Sequence, residues 1–258
     1  MEVRVLVKTS FWSFELVGLE YTKLAKQMEK FVKEHPPGDE DTTEGFLNFQ
    51  VFSEDKEYLY FEYFRAFIKE KADPRGLGTY EVPIRELRPI AISKDPFILL
   101  LFTPYKKQRD IILTYIPIDP KNRRTFGISA DFIEFINVPK PDNLAKKVFE
   151  DSIEPRGRKG RKGETHSHII HETYPSPKDR EKDLEKNEKN WVFRDFAEVA
   201  VSIEEAVINF RVYPNGKFTI NTLGQEVKLL APYIAEALQE LKEAEKRYFN
   251  LISTVRSV

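Results

Sequence analysis

Polar and apolar residues alternate along parts of the chain and recur at helical spacing along others. Val3, Val5 and Val7 recur at every second position beside the charged Glu2 and Arg4, which predicts a strand with one buried face. Residues 46–51 and 58–68 predict two strands that pair as a hairpin across a polar turn. Between these strands, apolar residues at helical spacing over 21–32 predict an amphipathic helix that ends before Pro36.

The middle of the chain is interpreted as a second hairpin followed by two helices. Residues 97–102 form a continuous apolar run between prolines, which predicts a buried strand. Residues 111–116 predict its neighbour, so that Lys106, Lys107 and Arg109 lie at a hairpin tip. Two short helices are predicted between positions 129 and 150, the second starting at 141–142.

The last third predicts strands followed by a long helix. Residues 199–203 alternate as a strand, 206–213 follow as a second, and a Pro-Asn-Gly turn at 214–216 returns the chain as a third. Thr222 with Gln225 is typical of a capping box that opens a helix. Because Pro232 interrupts the apolar stripe of this helix, a kink or a break into two helices is expected.

Hairpins followed by helices predict an α+β fold, with helices packed on one face of one or more antiparallel sheets. Residues 153–190 lose apolar content and gain Gly, Pro, Lys, Asp and Glu, which predicts a charged linker or flexible loop. We therefore expect an α+β domain over 1–152 and a β-hairpin with a C-terminal helix over 191–258. This last part either folds separately or packs into the first domain.

Composition excludes several kinds of site. The chain has no cysteine, which excludes disulfides, iron–sulfur clusters, thiolate zinc sites and cysteine nucleophiles. It also lacks the common glycine-rich phosphate loops and the Gly-x-Ser-x-Gly nucleophile motif. No apolar run approaches the ~20 residues of a membrane span, and the first ten residues lack an apolar signal core. We expect a soluble cytoplasmic protein without a membrane partner, with a composition typical of thermophile proteins.

Charged residues make up 32% of the chain while the net charge is only −1, so electrostatic function must be local. The densest cationic tract has glycines interspersed and contains Arg156, Arg158, Lys159, Arg161 and Lys162. Such a flexible arm neutralises phosphates without reading sequence.

The leading hypothesis is a non-enzymatic nucleic-acid-binding or accessory protein whose partner is the DNA or RNA backbone. In this hypothesis Lys106, Lys107 and Arg109 extend the footprint. Since a cationic arm also suits an acidic protein partner, a structural protein-interaction module stays open.

A histidine cluster follows the basic tract. His166 and His168 share one face if the segment is a strand, and His171 can complete a shell around a divalent metal. This pattern raises a second hypothesis, a metal-dependent hydrolase or nuclease. The alternative is that the histidines are surface residues, and no other cofactor is expected.

Two aromatic and apolar sets complete the analysis. The aromatic residues of 58–67 occupy both faces of a strand, and no basic stripe interleaves with them, so we interpret them as core rather than as a base-stacking platform. The C-terminal helix is expected to cover its own sheet. Phe249 and Ile252 near its end leave room for a homodimer contact.

Overall fold

A computed structural model describes residues 6–53, 55–76, 78–137, 142–150, 152–155, 196–204, 206–223 and 227–256. Within these residues the chain forms ten strands and five α-helices, which confirms the predicted α+β class. The chain divides into two compact units: residues 1–126 with 222–235 form unit 1, and residues 127–221 with 236–258 form unit 2. The predicted domain boundaries stay a prediction, since most of 153–190 lies outside the described residues.

Unit 1 contains an antiparallel sheet with strand order β2-β3-β4-β5-β1, and β6 also pairs with β1. Its strands are β1 (Leu6–Leu16), β2 (Thr43–Phe52), β3 (Tyr58–Ala72), β4 (Thr79–Ser93), β5 (Ile98–Leu101) and β6 (Arg123–Thr125). Its helices are α1 (Tyr21–Glu34) and α2 (Lys106–Tyr115), with a 3₁₀ turn at Pro120–Asn122. Buried residues of α1 and α2, among them Met28 and Ile112, share one hydrophobic cluster with Phe61, Tyr63 and Ile90 of the sheet.

Unit 2 contains the antiparallel order β7-β8-β9-β10 and helices with an aromatic core. Its elements are β7 (Ile153–Pro155), β8 (Ala197–Ile203), β9 (Ala206–Val212), β10 (Lys217–Leu223), α3 (Ala130–Asn137) and α4 (Asp142–Phe149). The long helix α5 (Val227–Arg256) contributes residues 227–235 to unit 1 and the rest to unit 2. The Phe132 ring of α3 lies 6.1 Å from Phe149 of α4 and 5.5 Å from Tyr248 of α5, so α5 packs against the helices of its own unit. The expected cover over the sheet stays a prediction.

The hairpin of β3 and β4 extends beyond its neighbours. The two strands pair along their whole length, from Tyr58 with Ser93 to Ala72 with Thr79. In the described pairings, β2 reaches only Ala66 of β3, and β5 reaches only Ile90 of β4. Residues 67–72 and 79–89 therefore form a two-stranded ribbon, closed by a turn in which Asp73 Oδ1 accepts a hydrogen bond from the Arg75 amide at 2.8 Å.

Two local predictions are wrong. Residues 106–115 are helical rather than a hairpin tip and strand, because the buried residues Gln108, Ile112 and Ile116 follow at intervals of four, one turn of helix. Thr222 lies in β10 rather than at the start of the helix, since α5 begins at Val227.

Of the two outcomes expected at Pro232, the break into two helices does not occur, since α5 is one continuous helix, and the kink stays a prediction. A proline removes a single helical hydrogen bond, here the one to the Lys228 carbonyl. Ala231, Ile234 and Ala235 beside it are buried. Their burial offsets that loss, so the helix continues through the proline.

The other predicted elements are confirmed where the structure describes them, with the N-terminal strand observed from Leu6 onwards. Strands β4, β6 and β7 were not predicted, and β7 falls inside the expected linker. Among the helices of the described residues, none combines the length and the apolar character needed to cross a membrane.

Candidate functional site

A cleft in unit 1 lies where the turn between β2 and β3 meets the start of α5. Its volume is about 520 Å³, within the range typical of ligand pockets. We call it the aromatic cleft, and its lining residues are Val51, Phe52, Ser53, Asp55, Lys56, Tyr58, Leu229, Pro232 and Tyr233.

The hairpin end builds one wall of the aromatic cleft. Phe52 and Tyr58 are directly opposite each other as the last cross-strand pair of β2 and β3. Their rings stack with centroids 4.5 Å apart and an interplanar angle of 6°. The turn is fixed from the neighbouring strand, because the Lys94 amide donates to the Glu57 carbonyl at 3.0 Å and the Lys94 ammonium pairs with the Glu57 carboxylate. The wall is therefore preorganised by sheet pairing.

Two lysines lie over aromatic rings of the aromatic cleft. The Lys56 Nζ lies 4.5 Å from the centre of the Tyr233 ring. The Lys228 Nζ lies 5.0 Å from the Phe52 centroid and 5.5 Å from the Tyr60 centroid. All three distances fall within the ~6 Å reach of a cation–π contact. Lys56 is thus a cation of the cleft itself, and Lys228 lies over the ring of its lining residue Phe52.

The rings differ in how far they open to solvent. Phe52 and Tyr233 are half-buried, whereas Tyr58 and Tyr60 are buried. The Tyr60 hydroxyl donates to Glu62 Oε1 at 2.7 Å, and burial followed by this carboxylate raises the pKa of Tyr60. Burial and then the nearby Tyr233 raise the pKa of Tyr58. Tyr58 and Tyr60 are therefore neutral supports. Phe52 is already stacked on Tyr58 with Lys228 over its ring, so Tyr233 is the half-buried ring that is more open to a ligand.

The chemistry of the aromatic cleft suits a flat ligand that carries negative charge. Open aromatic faces stack on planar rings, and ammonium groups attract phosphates or carboxylates. The exposed Asp55 carboxylate adds an acceptor at the same rim. A nucleotide unit has both the ring and the anion that this arrangement would bind.

A second cavity in unit 1 is much smaller. It is lined by His35, Glu44, Gly45, Phe46, Tyr63 and Tyr115 and has a volume of about 60 Å³. Burial and then the Glu44 carboxylate raise the pKa of Tyr63, and Glu44 pairs with Arg65 at 3.1 Å. This cavity has room for one or two water molecules but not for a nucleotide.

The predicted cationic residues of the middle region lie on α2 instead of a hairpin tip. Lys106 and Lys107 are exposed in the first turn of α2. Arg109 instead stacks on the Trp12 ring at 4.2 Å and pairs with Asp110 at 2.5 Å. Two of the three cations are thus open to a phosphate, while the third is already held within the fold.

The other predicted site residues lie outside the described residues. These are the cations Arg156, Arg158, Lys159, Arg161 and Lys162 and the histidines His166, His168 and His171. Their phosphate-binding and metal-binding roles stay predictions. In the part of the chain that is described, no cluster of three or more potential metal ligands occurs.

Sequence reasoning missed Lys56, Lys228 and Tyr233. The aromatic strand at 58–67 was noticed, but the cations that approach its start come from the turn before it and from a helix near the other end of the chain. Only Lys56 could have been found from the local sequence, because it is the one lysine in the turn that precedes the aromatic strand. Nothing in the sequence links this strand to Lys228.

Comparison with known proteins adds no functional assignment. No protein-family model matches the chain, and no curated protein matches it in sequence.

Proposed function

We propose that this chain is a non-enzymatic nucleic-acid-binding protein whose aromatic cleft holds a single-stranded segment. The observation that carries the proposal is the position of Lys228, whose ammonium group lies over the Tyr60 ring and over the ring of Phe52, a lining residue of the cleft. Lys56, in the turn between β2 and β3, makes the same kind of contact with the ring of Tyr233, which belongs to α5 on the opposite wall.

Single-strand binding needs stacking surfaces and cations that follow the phosphates. In the aromatic cleft a base would stack on the half-buried ring of Tyr233. The phosphates on either side of that base would then lie near Lys56 and Lys228. A duplex keeps its bases stacked inside, so it would have only the cations to bind.

The proposal extends beyond the aromatic cleft to the predicted cationic residues. Lys106 and Lys107 are exposed on α2 and available to further phosphates. The tract from Arg156 to Lys162 is proposed as the flexible arm that grips the backbone. The aromatic cleft supplies base stacking, and these cations supply most of the salt-dependent affinity.

The test is a fluorescence-anisotropy titration with labelled single-stranded and duplex oligonucleotides of about 15 residues, between about 50 and 200 mM salt. We expect the single strand to bind more tightly, with an affinity that falls steeply with salt. The double variant Lys56→Gln with Lys228→Gln should lower the salt slope by about 1.4, which is about 0.7 for each phosphate contact.

The matched control neutralises two exposed lysines of α1, Lys26→Gln with Lys30→Gln. This variant has the same change in net charge and should keep the wild-type slope. Loss of the same slope in both variants would mean that only net charge matters, and the aromatic cleft would lose its role. Absence of binding at low salt would reject the proposed function.

A further inference from the structure

The ribbon of β3 and β4 presents one face with a mixed apolar and charged pattern. Residues directly opposite each other in an antiparallel pair project to the same face, and every second residue shares it. One such face, which we call the ribbon face, starts in the sheet and continues along the ribbon. It consists of five cross-strand pairs: Phe64–Leu87 and Ala66–Arg85, where β2 still pairs with β3, and Ile68–Pro83, Glu70–Glu81 and Ala72–Thr79 in the ribbon itself.

The apolar part of the ribbon face is open to solvent. Ile68 is 43% exposed and lies directly opposite the exposed Pro83, and Leu87 is 50% exposed and lies directly opposite the half-buried Phe64. Exposed apolar groups that adjoin one another on a strand face are typical of a contact surface. A two-stranded ribbon is also marginally stable by itself, and packing against another surface would stabilise it.

The outer edge of β4 is poorly suited to strand pairing. The Phe102 amide donates to the Pro89 carbonyl at 3.0 Å, so the backbone groups of Pro89 point toward β5 and away from β3. Pro83 lies six positions earlier on the same strand and points to the same edge, where it lacks the amide donor. Prolines on an exposed edge oppose addition of another strand. A partner is therefore better accommodated on the ribbon face than along this edge.

The charges of the ribbon face are unbalanced within one chain. Glu70 and Glu81 are directly opposite each other, and like charges in such a pair are destabilising. Arg85 shares their face but lies four residues from Glu81 along the strand, a distance of about 13 Å. Among the described residues, none of the three forms an ion pair. The face thus carries an acidic pair and one cation that cannot reach it.

We propose that the ribbon face is a homodimer interface, with a second copy of this chain as its partner. A two-fold axis across the ribbon at the Ile68–Pro83 pair would place these two apolar residues against themselves. Arg85 of each copy would then lie over Glu81 and Glu70 of the other. The large side chains Phe64 and Leu87 would lie over the small residues Ala72 and Thr79.

This arrangement makes the ribbon face complementary to itself in charge and in shape. Glu70 and Glu81 repel each other within one chain, and Arg85 of the other copy would compensate this repulsion. The apolar centre would be flanked by charges on both sides. Five residue pairs from each copy fall short of the roughly 20–30 residues a side of a standard interface. We therefore expect a dimer that dissociates in the micromolar range.

The test uses two charge-reversal variants and their mixture. Variant A is Glu70→Arg with Glu81→Arg, and variant B is Arg85→Glu. In each variant alone, like charges would meet across the two-fold axis, so the dimer should weaken at least about tenfold. In an equimolar mixture the arginines of A would meet the glutamates of B, and a mixed dimer should form. Sedimentation velocity with one variant fluorescently labelled measures all three samples.

A matched control reverses a charge on the other face of the same ribbon. Lys69→Glu should leave the dimer unchanged, because Lys69 points away from the ribbon face. Circular dichroism checks that each variant keeps the fold.

The proposal fails if the wild-type chain stays monomeric at about 100 µM, well above a micromolar dissociation constant. It also fails if A and B each dimerise like the wild type, or if their mixture stays monomeric. A dimer that Phe249→Asp removes and variants A and B leave intact would assign the contact to the C-terminal helix instead.

Discussion

The ammonium nitrogen of Lys228 lies 5.0 Å from the centre of the Phe52 ring, so a residue of the last helix completes an aromatic surface built by the second strand. Lys228 belongs to the part of α5 that is included in unit 1, and the contact is thus internal to one compact unit. The aromatic cleft is therefore a product of the fold rather than of one sequence motif.

Removing an open ring of the aromatic cleft tests stacking separately from charge. We expect Tyr233→Ala to weaken single-strand binding about tenfold, because stacking on an aromatic side chain contributes about 1–3 kcal/mol per base. The salt slope should not change, since no phosphate contact is lost. Anisotropy titrations at two salt concentrations measure both quantities.

Tyr233→Phe is the control, because it keeps the ring and loses only the hydroxyl. It should bind like the wild type. Equal weakening of duplex and single-strand binding by Tyr233→Ala would contradict a stacking role.

The basic tract gives a second and separable prediction. Neutralising Arg156, Arg158, Lys159, Arg161 and Lys162 together should lower the salt slope for a single strand by up to about 3.5, from about 0.7 per phosphate contact. Combined with Lys56→Gln and Lys228→Gln, the two reductions should add, because separate phosphates are involved.

The control for the tract exchanges its arginines and lysines and keeps all five charges. Its salt slope should match that of the wild type. A neutralised tract that binds as tightly as the wild type, at every salt concentration, would remove the arm from the binding mechanism.

Local sequence patterns predicted most elements of this fold, and the failures have identifiable causes. Strand β4 was missed because Pro83 and Pro89 argue against a strand, yet both are tolerated because their backbone groups point away from β3, where no amide donor is needed. In α2, three consecutive apolar residues at 111–113 suggested a strand, while the buried positions follow a helical period. Short apolar runs do not distinguish these two structures.

The candidate site was less accessible to sequence reasoning. The aromatic residues near Tyr58 were interpreted as core, and Tyr58 and Tyr60 are indeed buried. Their relation to Lys228 and Tyr233 depends on the packing of α5 against the end of the β2–β3 hairpin. No local pattern encodes a contact between segments so far apart in the chain.

Glu245 in unit 2 provides a stability prediction. Its carboxylate is buried, accepts the Ser129 amide at 2.6 Å and pairs with Lys242 at 2.5 Å, and Lys242 also donates to the Gly127 carbonyl at 2.8 Å. Glu245→Ala would leave the Ser129 amide unpaired at the start of α3. We expect the free energy of unfolding to fall by about 2–3 kcal/mol.

Denaturant-induced unfolding followed by circular dichroism measures this loss. Glu243→Ala is the control, because Glu243 makes its contacts with Gln239 and Lys246 on the helix surface. It should cost no more than about 0.5 kcal/mol. Similar losses in the two variants would show that the buried contacts of Glu245 contribute no more than a surface ion pair.

Gly45 in β2 is required by close packing rather than by its own backbone conformation. A Cβ atom there would lie 2.6 Å from the Pro36 carbonyl carbon and from the Pro37 Cα, closer than such atoms approach in proteins. The loop cannot easily move away, since the Phe46 amide donates to the His35 carbonyl at 2.7 Å. We expect Gly45→Ala to destabilise the chain by about 2–3 kcal/mol, the upper range for overpacking.

Gly76 at the ribbon turn separates steric crowding from backbone strain. It has a φ of +74°, and nothing lies within 4 Å of its Cβ position, so Gly76→Ala should cost only about 1 kcal/mol of left-handed strain. Unfolding midpoints of the two variants give the comparison. Equal losses of the free energy of unfolding in Gly76→Ala and Gly45→Ala would contradict this explanation. Crowding against the Pro36–Pro37 loop would then not be the reason for glycine in β2.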